Sequence, residues 1–258
     1  MNDLALPPAL QSISLRLAAG GRTAILVGPG LRDLLYGVEP DRIEVSTDAP
    51  LRELLGWFPE GVLIGVRRAT VMIPRQTVCV DVTSLPANRA IERELAQRDF
   101  TINAIAYDVV QQKWLDPHGG RRDLACALIR AVHRARDRLA EDPIRALRAI
   151  RLAATRGWQL DAELEAALAN AAPALAAIAR EPVRRELVKL LLAPGAARAL
   201  ERLERSGIAQ RIAPGSAPDA GALVERLPRD LGLRLAGWLR GARARAILQR
   251  LRFSREVV

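Results

Sequence analysis

Aromatic side chains are scarce in this sequence: they make up 3% of 258 residues, as four Trp, two Tyr and three Phe. A core must therefore be built from Leu, Ile, Val and Ala. Too few rings remain to stack successive bases, which argues against sequence-specific reading of a single strand. Cysteine is nearly absent. Cys79 and Cys126 form no metal-ligand spacing and point to a reducing compartment. Lysine is almost missing too: only Lys113 and Lys189 stand among the 39 basic residues. No apolar run reaches the roughly 18 residues of a membrane span, and the N-terminus lacks a basic-then-apolar signal. The expectation is a cytoplasmic protein with no membrane partner.

What remains is aliphatic carbon and arginine. Half of the chain is hydrophobic, and its length suffices for one large domain or two to three small ones with a real core. The formal charge is +10. Arginine makes forked contacts to phosphate, so a polyanionic partner is expected. Arginine bias from a GC-rich genome is the plain alternative.

Residues 1–22 read as a helix ended by Gly20-Gly21. "TAILVG" (23–28) is a short apolar strand, "LRDLLYG" a short helix, "RIEVST" (42–47) an alternating strand and "LRELLGWF" a helix. "GVLIGVRRATVMIP" and "TVCVDVTSL" predict two hairpin strands, and "TINAIAYDVVQQKWLDP" predicts another strand pair with Asn103 inside it. From about Asp123 onward helical periodicity dominates, punctuated by Pro and Gly, with "APGSAPDAGA" (213–222) as a candidate linker. The pattern predicts an α+β amino-terminal domain with a small mixed sheet, followed by an all-α region.

Several motifs carry possible chemistry. "LVGPGLRD" is a strand, a Gly-rich turn and a helix start, where free N–H groups attract phosphate, although Pro29 removes one donor. Gly28 and Gly30 shape that turn; Arg32 and Asp33 after it can bind sugar or phosphate, or pair with each other. In "QRDFTINAIAYD", Arg98 and Asp99 precede the predicted strand, and a buried Asn103 needs partners. "DPHGGRRDL" reads as a hairpin loop with a helix N-cap at Asp123. In "EDPIRALRAIR", Glu141, Arg145 and Arg148 fall at i, i+4 and i+7 on one helical face. Residues 121–160 hold ten arginines against four acids, enough to meet triphosphate and an RNA backbone. Arg180, Arg184 and Arg185 form a second basic helix start. His118 and His133 have no metal-ligand companions and read as structural or surface groups.

"LVGPGLRDLLYG", "RDFTINAIAYD", "DPHGGRRDL", "EDPIRALRAIRLAA" and "EPVRRELVKLLLAPGAARALERLERSGI" occur in this order. Together, over about residues 23–212, they resemble the bacterial tRNA nucleotidyltransferase (CCA-adding) and poly(A) polymerase family of the class with a head, a helical neck and a helical body. The resemblance implies a nucleotidyltransferase head over 1–125, a neck with base recognition over 126–195, and a short body over 196–258, ending where relatives continue. It implies template-independent addition of nucleotides to RNA 3′ ends from CTP or ATP, with Mg²⁺, RNA or tRNA as partner, and no DNA. Gly28, Gly30, Arg32, Asp33, Arg98, Asp99 and Asn103 would bind nucleotide in the head.

In the neck, the resemblance gives Asp142 and Arg145 the base-reading parts, with Glu141 and Arg148 holding Arg145 in place. The chemistry suits it. A carboxylate accepts from an amine and a guanidinium donates to a ring nitrogen, so the pair prefers C and A over U and G. An ordinary salt-bridged helix is the plain alternative.

One departure bears on activity. Two carboxylates at alternate positions of one strand would hold two magnesium ions. The family's alignment places those positions at Arg42 and Glu44, in "DRIEVSTDAP". A guanidinium repels the ions that a carboxylate would bind. Asp41 points to the opposite face unless a bulge intervenes. Asp81 lies on a nearby strand by resemblance. Glu44 and Asp81 are thus the candidate metal ligands, and Glu44 the candidate catalytic carboxylate. Gln97 departs as well, since the family usually has arginine there. Three readings follow: a divergent transferase, a nucleotide- or RNA-binding homologue without transfer, and a basic scaffold. A scaffold has no need of the Glu141–Arg148 face.

Overall fold

The structure, a computed structural model, describes residues 4–64, 69–75, 78–85, 91–178 and 180–254. It divides into two compact units, Met1–Cys126 and Ala127–Val258.

In the first unit the helix expected over 1–22 is shorter, α1 at Pro8–Ala19, because proline suits a first helical turn and Gly20-Gly21 ends it. The strands are β1 (Ile25–Val27), β2 (Arg42–Thr47), β3 (Val62–Ile64), β4 (Thr70–Pro74), β5 (Cys79–Ser84), β6 (Ala106–Asp108) and β7 (Lys113–Leu115). They form one mixed sheet in the order β3-β4-β5-β2-β1-β6-β7. Every neighbouring pair is antiparallel except β2 and β5, which run parallel. The two hairpin strands predicted over 61–85 become three, and residues 65–68 and 76–77 of those runs lie outside the described residues.

Period-two alternation explains the sheet. Leu26, Ile43, Val45, Val71, Ile73, Val80 and Val82 are buried as one row. The alternate positions Arg42, Glu44 and Asp81 share the other face. The helices between strands are α2 (Gly28–Leu35), α3 (Leu51–Trp57) and α4 (Ile91–Ala96).

Two local expectations are corrected. Asn103 is not in a strand: Thr101–Asn103 is a 3₁₀ turn leading into β6. Asp123 is not an N-cap either. Helix α5 (Gly120–Ala125) starts after Gly119, and Asp116 accepts from the amides of Gly120 (2.6 Å) and Arg121 (3.0 Å). Asp123 lies inside that helix and accepts from the Thr101 hydroxyl at 2.7 Å. This closes α5 onto the 3₁₀ turn, and only glycine fits the contact: a Cβ on Gly120 would sit 2.0 Å from the Thr101 carbonyl oxygen. Gly120→Ala is expected to destabilise the protein by about 1–3 kcal/mol in urea unfolding.

The second unit holds α6 (Ala135–Glu141), α7 (Ile144–Arg156), α8 (Ala162–Leu175), α9 (Arg180–Leu191), α10 (Ala196–Arg205), α11 (Ile208–Ile212), α12 (Ala220–Arg226), α13 (Leu231–Trp238) and α14 (Ala244–Arg250). It is not all-α: Leu128–Ile129 (β8) and Gln159–Leu160 (β9) pair in parallel. Two-residue strands are too short to show a period. Segment 213–222 is packed rather than a linker. Ser216 is buried and its hydroxyl donates to Glu204 at 3.0 Å, and the Ala217 amide donates to the Trp238 carbonyl at 2.9 Å. The core is mainly of the expected aliphatic kind, with Leu147, Ile150, Leu164, Val183, Leu187 and Leu203 buried, and it also takes in the aromatic ring of Trp238. Among the described residues no helix is long and apolar enough to cross a membrane.

Candidate functional site

The head presents two linked clusters of polar side chains. The first is anchored on Asn103 in the 3₁₀ turn. Arg32, from α2, donates to Asn103 Oδ1 at 2.8 Å and pairs with Asp33 at 2.8 Å. Asn103 donates from Nδ2 to Asp99 Oδ1 at 2.8 Å, and the Phe100 amide donates to that same oxygen at 2.9 Å. The structure therefore gathers Arg32, Asp33, Asp99 and Asn103 from four separate motif positions. Arg32 and Asn103 are buried, so these bonds fix their side chains.

The second cluster lies on the sheet. The parallel register of β2 and β5 sets Glu44 directly opposite Asp81. Arg98 follows α4 and donates from Nη1 to Glu44 Oε2 and from Nη2 to Glu94 Oε1, both at 2.7 Å. Burial opposes the charge on Arg98, but Glu44 and Glu94 outweigh it and hold its pKa above the ordinary value. Gly28 closes this corner, since a Cβ there would lie 2.8 Å from both Arg98 Nη1 and Glu44 Oε2. Its φ of +77° is also one that glycine adopts readily. The Gly-rich turn at the start of α2 thus sits against the Glu44–Arg98 pair.

Arg42 reaches Asp81: its Nη1 donates to Oδ2 at 2.7 Å, with Arg42 half exposed and Asp81 nearly buried. Burial pushes the Asp81 carboxyl up, more than Arg42 beside it pulls it down, and Glu44 adds to the rise. Asp41 does not rescue the lost acid. Pairing with β5 is regular from Arg42, and Asp41 stays exposed just before β2.

In the second unit Glu141 ends α6 and accepts from Arg145 at 3.0 Å and from Arg138. Slight burial works against its charge, yet Arg145 and Arg138 hold Glu141 below the usual carboxylate range. Arg145 also donates to the Arg138 carbonyl at 3.0 Å, so two acceptors orient its guanidinium. Asp142 lies between the helices and accepts from the Ile144 amide at 3.3 Å, a weak helix-start contact. Its second oxygen carries no hydrogen bond among the described residues. Arg148 pairs with Glu186 of α9 at 3.6 Å, and Glu186 also takes Arg151 at 2.5 Å. Arg184, of the second basic start, donates to the Arg252 carbonyl.

Sequence reasoning missed Glu94, Arg138 and Glu186. Glu94, four residues before Arg98, and Arg138, three before Glu141 on α6, leave a readable spacing; Glu186 leaves none.

Residues 24–130 match the family described as the poly A polymerase head domain, and 157–219 match its probable RNA- and SrmB-binding site. The CCA-adding enzyme of Geobacillus stearothermophilus is 32% identical over 219 residues, 78% of this chain and 54% of that enzyme. The CC-adding tRNA nucleotidyltransferase of Shouchella clausii is 35% identical over 216 residues, 83% of this chain and 56% of that enzyme. The chain belongs to the tRNA nucleotidyltransferase and poly(A) polymerase family. The crystal structure of the Bacillus stearothermophilus CCA-adding enzyme in complex with CTP superposes with a TM-score of 0.86 at 29% identity, covering 98% of this chain and 68% of that one. The Thermotoga maritima CCA-adding enzyme complexed with tRNA shares the fold, with a TM-score of 0.81 at 20% identity over 98% of this chain and 68% of that one. This family member spans about half the length of the curated relatives it matches.

The family's magnesium pair does not fit the residues of this member. Magnesium demands oxygen ligands in near-octahedral geometry at about 2.0–2.1 Å. Here one oxygen of Asp81 and one of Glu44 are each taken by a guanidinium at 2.7 Å. Asp81 Oδ1, buried without a hydrogen bond, and Glu44 Oε1 remain, but one oxygen on each of two arginine-paired carboxylates does not make a two-ion site. Among the described residues no group of three His, Cys, Asp or Glu side chains could hold a metal. A doubly charged ion about 5 Å from a guanidinium, at an effective dielectric near 20, is repelled by about 6–7 kcal/mol.

Proposed function

We propose that this chain binds CTP or ATP and works at RNA 3′ ends, tRNA above all, as a template-independent nucleotidyltransferase. The observation that carries the reading is the match of 98% of the chain, at a TM-score of 0.86, to a CCA-adding enzyme in complex with CTP. In the first unit, Arg32, Asp99 and Asn103 are fixed by one another, the preorganisation a nucleotide pocket needs. In the second, Arg145 is held by Glu141 beside an Asp142 oxygen that remains available. Asp142 would accept from the exocyclic amine of C or A, and Arg145 would donate to the neighbouring ring nitrogen. Cations on α9 and along 121–160 would meet the RNA backbone, with an affinity that falls as salt rises.

The test is incubation of pure protein with tRNA lacking its 3′ end and labelled CTP or ATP. Extension by C or A supports transfer. A second reading, a nucleotide- and RNA-binding homologue without transfer, is favoured by one observation: Arg42 sits on Asp81, where the family's metal would draw on oxygen. Binding of CTP and tRNA without extension decides for it. No magnesium-borne step is assigned to either reading.

In both readings CTP and ATP bind more tightly than UTP and GTP, by about tenfold, since a hydrogen bond to a charged group contributes about 1.5–3 kcal/mol. Arg145→Ala is expected to level the four affinities in a titration. Equal affinities in the unaltered protein would reject Asp142 and Arg145 as the base-reading pair.

A further inference from the structure

The pairing of Arg42 with Asp81 removes a metal site, and it also installs a cation. We infer that Arg42 takes the place of a divalent ion here: its guanidinium meets the phosphates of a bound nucleotide directly, and nucleotide binding needs no Mg²⁺. The inference rests on the nucleotide-binding reading above.

Three features of Arg42 fit it for this part. First, the guanidinium has donors to spare. It carries five N–H donors, and among the described residues one goes to Asp81 and another, long at 3.7 Å, to the Met72 sulfur. The rest point from a side chain that is 51% exposed. Second, Asp81 need not be given up. It is nearly buried and takes a single donor among the described residues, so the guanidinium can keep Nη1 on Asp81 and meet a phosphate oxygen with another N–H. Arg98 contrasts with it: buried between two carboxylates, it is the fixed floor of the cluster. Third, Arg42 lies in the right place. It is two residues from Glu44 on one strand face, and the Gly28 turn of α2 closes against Glu44.

Charge sets the limit of the effect. Arg42 and Arg98 face Glu44, Glu94 and Asp81, so the cluster has no surplus of positive charge before the nucleotide arrives. Affinity is therefore modest and falls with salt, as it must for a half-exposed cation.

Calorimetric titration of the full chain with CTP, in chelator and again in Mg²⁺, tests the inference. The expected dissociation constants agree within about twofold. Arg42→Ala is expected to weaken CTP about tenfold in both buffers, and Arg42→Lys less, since it keeps the charge and loses the fork. Bound Mn²⁺ followed by electron paramagnetic resonance is expected to be undetectable in the unaltered protein. Thermal melts are expected to show both variants folded at the titration temperature, with Arg42→Ala melting lower because it leaves the nearly buried Asp81 unpaired. CTP binding that vanishes in chelator and returns with Mg²⁺ overturns the inference and leaves the nucleotide-binding reading standing. So does an Arg42→Ala protein that binds CTP undiminished. No CTP binding in either buffer overturns both.

Discussion

Arg42→Asp combined with Glu44→Asp is expected to raise the proposed nucleotide addition to a trimmed tRNA about 100-fold or more in Mg²⁺, the scale on which metal ions supply several kcal/mol of charge stabilisation in transfer reactions. The argument is electrostatic. In the unaltered protein Asp81 is paired with Arg42, and Glu44 with Arg98. The double change removes the guanidinium and sets a carboxylate at positions 42, 44 and 81. All three point to the same face of two parallel, directly paired strands. The guanidinium that repelled a divalent ion gives way to a third ligand. Shortening the side chain at 44 draws its oxygens back from Arg98, which reaches Glu44 at 2.7 Å through the longer arm. The single changes separate the contributions. Arg42→Ala lifts the repulsion without adding a ligand and should give a small gain at saturating CTP only. Glu44→Asp alone leaves Arg42 in place and should give none. Stability is expected to fall by about 1–3 kcal/mol without Mg²⁺, because the nearly buried Asp81 loses its cation and gains like charges beside it. An extension gel in which the double variant equals the unaltered chain would remove the metal-site argument altogether.

That argument was legible in the sequence only in outline. Arg42 and Glu44 stand at positions that motif order alone identifies, and their chemistry follows from residue type. Their partners do not follow. Arg42 and Asp81 are 39 residues apart, and Arg98 and Glu44 are 54 apart. Only the parallel register of β2 and β5 brings the first pair within reach. The sheet itself was readable, because Ile43, Val45, Val80 and Val82 keep a strict alternation. The entry to the next strand pair was not, although the expected pair itself forms as β6 and β7. The apolar residues Ile102, Ala104 and Ala106 also alternate, yet Asp99 accepting from Asn103 and from the Phe100 amide curls the chain into a turn first. Side-chain hydrogen bonds to neighbouring positions defeat a period-two reading there. In "EDPIRALRAIR" the helical spacing found the Glu141–Arg145 pair but not the pairing of Arg148 with Glu186. Glu186, a carboxylate on another helix, competes for Arg148 and lies outside any local pattern.

Arg234 is where local pattern says least and the expected stability effect is largest. From the sequence it is one more cation in a helical stretch; in the fold it is 4% exposed. It has no carboxylate partner among the described residues. Its guanidinium instead donates to four backbone carbonyls: Pro228 at 3.0 Å, Leu191 at 2.5 Å, Ala193 at 3.2 Å and Leu227 at 3.2 Å. Leu191 is the last residue of α9, whose final carbonyls have no helical partner and carry the negative end of the helix dipole. A fork of donors from α13 therefore caps α9 and, with the same group, ties down the turn that follows α12. Lysine has one nitrogen and cannot span four acceptors. Arg234→Met keeps much of the volume and removes every donor, leaving buried carbonyls unpaired. A cost of about 3–5 kcal/mol in urea unfolding is expected, with Arg234→Lys between the two, because stranding buried acceptors costs more than a net hydrogen bond returns. A methionine variant within about 1 kcal/mol of the unaltered protein would mean that water replaces the guanidinium at little cost, and that α9 ends there without its help.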